Sequence, residues 1–442
     1  MHNVHSVDTL IEARWIIPVE PADTVLHDHS IAIDGGRIVA ILPTGEARQR
    51  FVAATYHRLT DHALMPGMVN LHTHAAMSLL RGYADDLPLM EWLKGHIWPA
   101  ETRHVSADFV RDGARLACAE MLKGGTTCFN DMYFFPEAVA EAAVACGIRA
   151  AIGMIVIDFP TAYASDPDDY LNKGLAMRDR MRDEPLLSFT LAPHAPYTVG
   201  NATFEKIITY ASQLDLPVHV HLHETSDEIA QSMAQYQQRP LARLHQLGLT
   251  GPNLIAVHAV HLNPDEQALL AQQGSHIAHC PASNLKLASG FAPIASILEQ
   301  GLNIGIGTDG AASNNKLDMF SEMRLAALLA KGVANDAAAL PAHTALQMAT
   351  LNGARALGLD QHIGSLLPGK CADLIAVDMA QLNTLPCFDP ISSLVYSAGR
   401  DQVSHVWVNG ELRVDNHQFT ALDERALKIT ANVWQSRIQP SN

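Results

Sequence analysis

The sequence predicts a parallel (β/α)8 barrel of the TIM type, with a small β-sandwich domain built from both chain ends. Three observations carry that prediction. Apolar strand segments alternate with amphipathic helices over roughly 300 residues. The flanking stretches are instead rich in β-branched residues punctuated by tight-turn dipeptides. Histidines and acids gather at the ends of predicted strands, the edge where such barrels carry their chemistry. The expected boundaries are 1–65 with 366–442 for the sandwich and 66–365 for the barrel. A chain of 442 residues exceeds what one core usually supports, so a large and a small domain are expected.

The elements follow in order. Residues 7–17, 29–34 and 37–42 read as strands, and Asp34-Gly35-Gly36 is a hairpin signal. Residues 63–71 form the first barrel strand. Residues 108–122 carry Val110, Ala114, Ala117 and Met121 at helical spacing and stop at Gly124-Gly125. Strand 126–130 is followed by helix Pro136–Cys146, with proline in its first turn and Gly147 past its end. Strands 148–157 and 186–191, helix 203–214, and strands 217–222, 254–257, His276–His279 and 302–307 complete eight strands. Residues 372–377 and Val403–Val408 resume the short-strand character, with Asn409-Gly410 as a turn. An open doubly wound sheet is the rival architecture, but no G-x-G-x-x-G follows the first strand.

Composition narrows the function. With 48% hydrophobic and 17% charged residues the chain is ordinary globular protein. Lys+Arg 30 against Asp+Glu 46 leaves a net charge of −16, which disfavours nucleic acid and anionic membrane as partners but not a small ligand. Glu12 and Arg14 interrupt the early apolar stretch, so no signal peptide is read, and no apolar run approaches the ~18 residues of a membrane span. Six scattered cysteines without C-x-x-C fit reduced thiols and a cytoplasmic location.

The 23 histidines are the outlier. His72 and His74 close the first strand; residues two apart in an extended segment point the same way, so both imidazoles can face one metal. On the fifth strand His219, His221 and His223 share one alternating face, where three imidazoles serve no packing need, so at least one is expected to be a ligand. Glu224 follows, placed either to shuttle protons or to begin a helix. His258 and His261 end the sixth strand, and Asp309 ends the eighth between glycines. Alone, Asp309 reads as a turn residue; with four strand ends offering ligands or proton carriers, the metal reading gains. Three neutral imidazoles and a carboxylate suit Zn²⁺ and leave room for a water whose pKa the metal lowers toward about 7. Fe²⁺ or Mn²⁺ also suits such a site.

At this point the chain resembles the amidohydrolase superfamily. Met65-Pro66-Gly67-Met68-Val69-Asn70-Leu71-His72-Thr73-His74 is similar to its first-strand signature. Ile363-Gly364-Ser365-Leu366, Pro368-Gly369-Lys370 and Ala372-Asp373-Leu374 are similar to its return into the small β domain. The branch resembled contains methylthioadenosine/S-adenosylhomocysteine deaminases and the triazine hydrolases. The resemblance implies His72, His74, His221 and Asp309 as metal ligands, Glu224 as proton shuttle and His258 as holder of the hydrolytic water. It leaves His219, His223 and His261 without roles. It implies one zinc per subunit, because the fourth strand lacks the lysine that binuclear members carboxylate, and it implies a homo-oligomer. Trp92 and Glu101 would bind ribose hydroxyls and His194 the nucleoside; without the resemblance, a core tryptophan and a surface glutamate is the plainer reading. Ser283-Asn284-Leu285-Lys286 also matches the branch and reads as loop structure at the site mouth, supporting the metal aspartate.

The expected reaction is hydrolytic deamination at C6 of 5′-methylthioadenosine, S-adenosylhomocysteine or adenosine. His258 and Asp309 orient the attacking water, Glu224 protonates N1, and ammonia leaves. The loop 157–164 contains no arginine to clamp an amino acid carboxylate, which tilts the expectation toward methylthioadenosine or adenosine, with Phe159 or Tyr163 over an apolar 5′ group. Neither Arg81 nor Arg149 is placed in sequence to supply that charge. Rival readings are deamination of a free base such as guanine or cytosine, triazine hydrolysis, and a catalytically inactive barrel acting as a binding protein.

Overall fold

The computed structural model describes residues 4–439. Two eight-stranded sheets organise them. The barrel strands are Met68–Thr73 (β1), Thr126–Tyr133 (β2), Arg149–Val156 (β3), Leu187–Pro193 (β4), Val218–Leu222 (β5), Leu254–His258 (β6), His276–His279 (β7) and Asn303–Ile306 (β8). Each hydrogen-bonds to the next in parallel, with helices between. Every residue of β2 and β3 is buried, because both faces of a parallel strand are covered.

Closure occurs where the chemistry lies. The Asn70 side chain on β1 accepts from Thr308 N at 2.9 Å and donates to Thr308 Oγ1 at 2.8 Å, while Asp309 N donates to His72 O at 2.9 Å. These bonds tie the end of β8 to β1 and fix Asp309 beside His72 and His74.

The helices obey their local signals. Ser106 Oγ accepts from Phe109 N at 3.2 Å and caps helix Ala107–Lys123. Helix Pro136–Cys146 stops at Gly147, whose φ of 69° is readily adopted by glycine.

The second sheet has the order Gln418–Phe419, Glu411–Asp415, Val403–Val408, Leu374–Asp378, Phe51–Pro66, His5–Ile16, Leu26–Asp34, Arg37–Pro43, and so joins strands from both chain ends. Its alternation is clear: Leu10 and Ala32 enter one apolar cluster, Ile11, Ile31 and Ile33 another. The buried Asp373 binds Arg149 of β3 through two bonds of 3.0 and 3.1 Å, pinning this sheet to the barrel. Helix Glu424–Ile438 lies on helix Ala107–Lys123, with Trp434 against Phe109 and its indole N–H on Asp112 at 2.8 Å.

One expected element divides. The apolar run 63–71 is two strands, because Phe51–Pro66 belongs to the second sheet and β1 begins at Met68. Gly67 is the break; a Cβ there would lie 2.1 Å from Thr127 Oγ1. Among the described residues no helix is long and apolar enough to cross a membrane.

Candidate active site and metal centre

The ends of β1, β5, β6 and β8 bring His72, His74, His221, His258 and Asp309 into one cluster, all buried except the partly exposed His74. Ligand atoms of His72, His74 and Asp309 lie within 4.8 Å of one another, as do those of His72, His221 and His258. Nε2 of His72 and of His74 stand 3.3 and 3.4 Å from Asp309 Oδ1. Tetrahedral zinc with bonds of about 2.0–2.1 Å spaces its ligand atoms by roughly 3.3–3.4 Å, so these separations fit an ion.

The donor chemistry fits too. His74 Nδ1 is 2.5 Å from Met132 O and His221 Nδ1 is 2.6 Å from His194 O. A carbonyl only accepts, so both Nδ1 atoms carry the hydrogen and both Nε2 lone pairs are bare. Burial pushes His72 down to about 4 and His221 well below its usual range, so these imidazoles are neutral, as ligands must be. His72 Nε2 is buried without a hydrogen-bond partner. A nitrogen without a hydrogen-bond partner, held 3.3 Å from a carboxylate oxygen, is stabilised by a cation between them. The residues present therefore suit a divalent metal.

Supporting groups hold this cluster. Asp309, at φ 63°, accepts from Gly310 N and from Ser283 Oγ, both at 2.6 Å. His258 Nδ1 faces Asn284 Oδ1 at 2.8 Å. Ser283 and Asn284 lie in the short helix Pro281–Lys286 after β7, whose Ala282 N is bound by buried Glu322 at 3.1 Å. Glu224 Oε2 stands 3.8 Å from His258 Nε2. Burial raises the Glu224 carboxyl, the Asp309 charge adds to this, and the His258 and His74 charges oppose it. Glu228 fixes the turn, accepting from His223 N at 2.9 Å and Glu224 N at 2.8 Å.

The cluster floors a cavity of about 440 Å³, which also takes in Trp92, Glu101 and His194. Trp92 and Glu101 come from a cover over the barrel mouth. On an ideal α-helix, residues nine apart at about 100° each face opposite ways. Here the π-helical turn Leu93–Ile97 rewinds the segment between Leu89–Trp92 and Trp98–His104, and both side chains line the cavity. The Trp92 indole N–H is committed to Ala84 O at 3.0 Å, leaving its ring to the cavity. Glu101 accepts from Tyr133 Oη at 2.7 Å, and burial lifts its carboxyl to about 7. Tyr133 is a site residue that sequence reasoning missed: it lies beyond the expected strand end at residue 130, where no motif marks it. His194 Nδ1 meets Thr198 Oγ1 at 3.0 Å, and burial pushes His194 down to about 3.

Other expected positions lie outside. Tyr163 packs between Phe135 and Tyr170, whereas Phe159 lines the cavity. Arg81 binds Glu120 and Arg149 binds Asp373. Among the described residues no lysine or arginine lines the cavity. His223 Nε2 accepts from Leu241 N at 3.0 Å, and His261 Nε2 meets Ser289 O at 2.7 Å; both are structural.

Residues 63–413 match the family model described as the amidohydrolase family. The chain is 48% identical over 438 residues to a 5-methylthioadenosine/S-adenosylhomocysteine deaminase of Teredinibacter turnerae, covering 99% of each chain. It is similar to the crystal structure of an adenosine deaminase from Xanthomonas campestris with bound zinc, at 52% identity and a TM-score of 0.98, covering 99% of each. It is also similar to a zinc-complexed atrazine chlorohydrolase of Arthrobacter aurescens, at 26% identity and a TM-score of 0.90, covering 97% of this chain and 100% of that one.

Proposed function

The chain belongs to the amidohydrolase family, and from that premise we propose that it is a zinc-dependent hydrolase removing the C6 amino group of an adenosine-type nucleoside. One observation carries this reading. Bare Nε2 atoms and a carboxylate converge beside Glu224 and His258, on the floor of a cavity sized for a small ligand. The 5-methylthioadenosine/S-adenosylhomocysteine deaminase relative supplies the substrate class.

His72, His74 and His221 would hold the ion through Nε2 and Asp309 through Oδ1. Bound there, it would lower the pKa of an attacking water toward about 7. His258 and Asp309 orient that water and take its proton. Glu224, its carboxyl raised by burial, delivers a proton to N1 as C6 is attacked, then carries the remaining hydroxyl proton of the C6 adduct to the departing amino group, which leaves as ammonia; the proton taken from the water returns to Glu224. His194, half-buried and neutral, contacts the nucleoside, and Glu101 accepts from the ribose hydroxyls with the oxygen that Tyr133 leaves free.

The 5′ preference follows from charge. S-adenosylhomocysteine brings an amino acid carboxylate, and the cavity offers no cation to meet it. Methylthioadenosine or adenosine is therefore favoured, with Phe159 against the 5′ group. The same reading takes one zinc per chain, a homo-oligomer in the cytoplasm, and domains at 1–65 with 366–442 and at 66–365. Zinc-loaded protein assayed with the three nucleosides is expected to give the lowest kcat/KM for S-adenosylhomocysteine. The reverse ranking would overturn the charge argument. Turnover of guanine, cytosine or a triazine, with none of the nucleosides converted, would overturn the substrate class.

A further inference from the structure

Two of the three imidazoles proposed as ligands have their tautomers fixed by carbonyls, Met132 O for His74 and His194 O for His221. His72 does not. Its Nδ1 faces His219 Nε2 at 2.9 Å, and a neutral imidazole nitrogen can either donate or accept. The direction of that bond decides whether His72 offers the metal a lone pair or an N–H.

We propose that His219 is a positioning residue for the metal centre: its Nε2 accepts from His72 Nδ1–H and thereby holds the His72 Nε2 lone pair toward Asp309. This rests on the metal reading given above. Three observations support it. The pair is edge-on, with ring centroids 4.9 Å apart at 74°, and both rings are wholly inaccessible. His72 Nε2 has no hydrogen-bond partner, as an atom reserved for an ion should not. Finally, if Nε2 of His219 accepts, its Nδ1 carries the hydrogen, and that nitrogen is buried without a partner among the described residues. An orphaned donor inside a barrel is unfavourable, and Ile255 and Val257, paired in register with His219 and His221 on the neighbouring strand, show that apolar side chains fill this interior. A histidine kept there despite the orphan is explained by what its other nitrogen does. Metal-bound histidines generally donate their second N–H to a carboxylate, carbonyl or water; at His72 a second imidazole takes that place.

The test measures zinc affinity by competition with a chromophoric chelator for wild type, His219→Leu, His219→Gln and His219→Asn, with thermal melting of each metal-free form as a control for folding. A glutamine can place its amide oxygen where Nε2 stands, whereas an asparagine is one bond too short. His219→Leu and His219→Asn are expected to bind zinc about 10- to 100-fold more weakly, and His219→Gln to recover most of that loss. Equal affinity in wild type and His219→Leu, or an equal loss in all three variants, would overturn the proposal. If the leucine variant does not fold, the contrast between glutamine and asparagine decides. Failure of wild type to bind zinc, or unchanged zinc binding by His72→Ala, would instead remove the metal reading beneath it.

Discussion

Replacing Glu224 by glutamine separates proton transfer from everything else the site does. Glu224 is 5% exposed, and its backbone N–H is held by Glu228 at 2.8 Å, so an isosteric amide stays in place. It belongs to neither cluster of metal-binding atoms, so zinc content should not change. The amide has no proton to deliver to N1. His258 Nε2, 3.8 Å away, can still take a proton from the attacking water but does not replace the lost acid. General acid–base groups contribute about 10²- to 10⁴-fold. With His258 retained we expect kcat to fall about 10³-fold, equivalent to about 4 kcal/mol at roughly 1.36 kcal/mol per decade, while KM moves less than about threefold. The assay pairs steady-state deamination with metal analysis of the same preparation. A variant with full zinc and kcat within tenfold of wild type would refute the assigned role.

Asn284 is expected to act through His258: Asn284→Leu removes the acceptor at Nδ1 and should lower kcat about 10- to 100-fold with little change in KM, while Asn284→Asp, which still accepts, retains most activity. Asp373→Asn strands the buried Arg149 charge, and breaking such a pair costs about 3–5 kcal/mol; the urea midpoint should fall accordingly, and an unchanged midpoint contradicts the pairing. His405, in the second sheet, is pushed down to about 4, mainly by burial, with Asp415 opposing. As pH falls from 6.5 toward 4 the unfolded chain takes up a proton that the folded one refuses, so stability is lost across that window. Because this ring is partly solvated the loss is discounted to roughly 1–2 kcal/mol, and His405→Gln should lose that much less than wild type between pH 7 and pH 4.5.

The sequence was most legible where chemistry requires unusual residues. Three alternating histidines on one strand have few other uses; H-x-H and an aspartate near glycines gain meaning from their company at the strand ends, and His72 joins His74 and Asp309 in one group of ligand atoms and His221 and His258 in another. What stayed hidden was of two kinds. Periodicity cannot reveal a change of sheet within a continuous apolar run, so 63–71 read as one strand although Gly67 parts two. Supporting polar groups also carry little local signal. Tyr133 sits in a wholly buried strand, Glu228 in an ordinary first helical turn, and Asn284 in a motif whose chemistry appears only when β7 brings it beneath His258. The cover bearing Trp92 and Glu101 depends on a π-helical turn that no residue pattern announces.

The most direct test is a zinc titration of metal-free protein, following loss of the adenine absorbance of methylthioadenosine. The predicted result is no turnover without metal, a linear rise in rate with added zinc, and a break at one equivalent per chain. Turnover by the metal-free protein, or no conversion after zinc has bound stoichiometrically, would contradict the account.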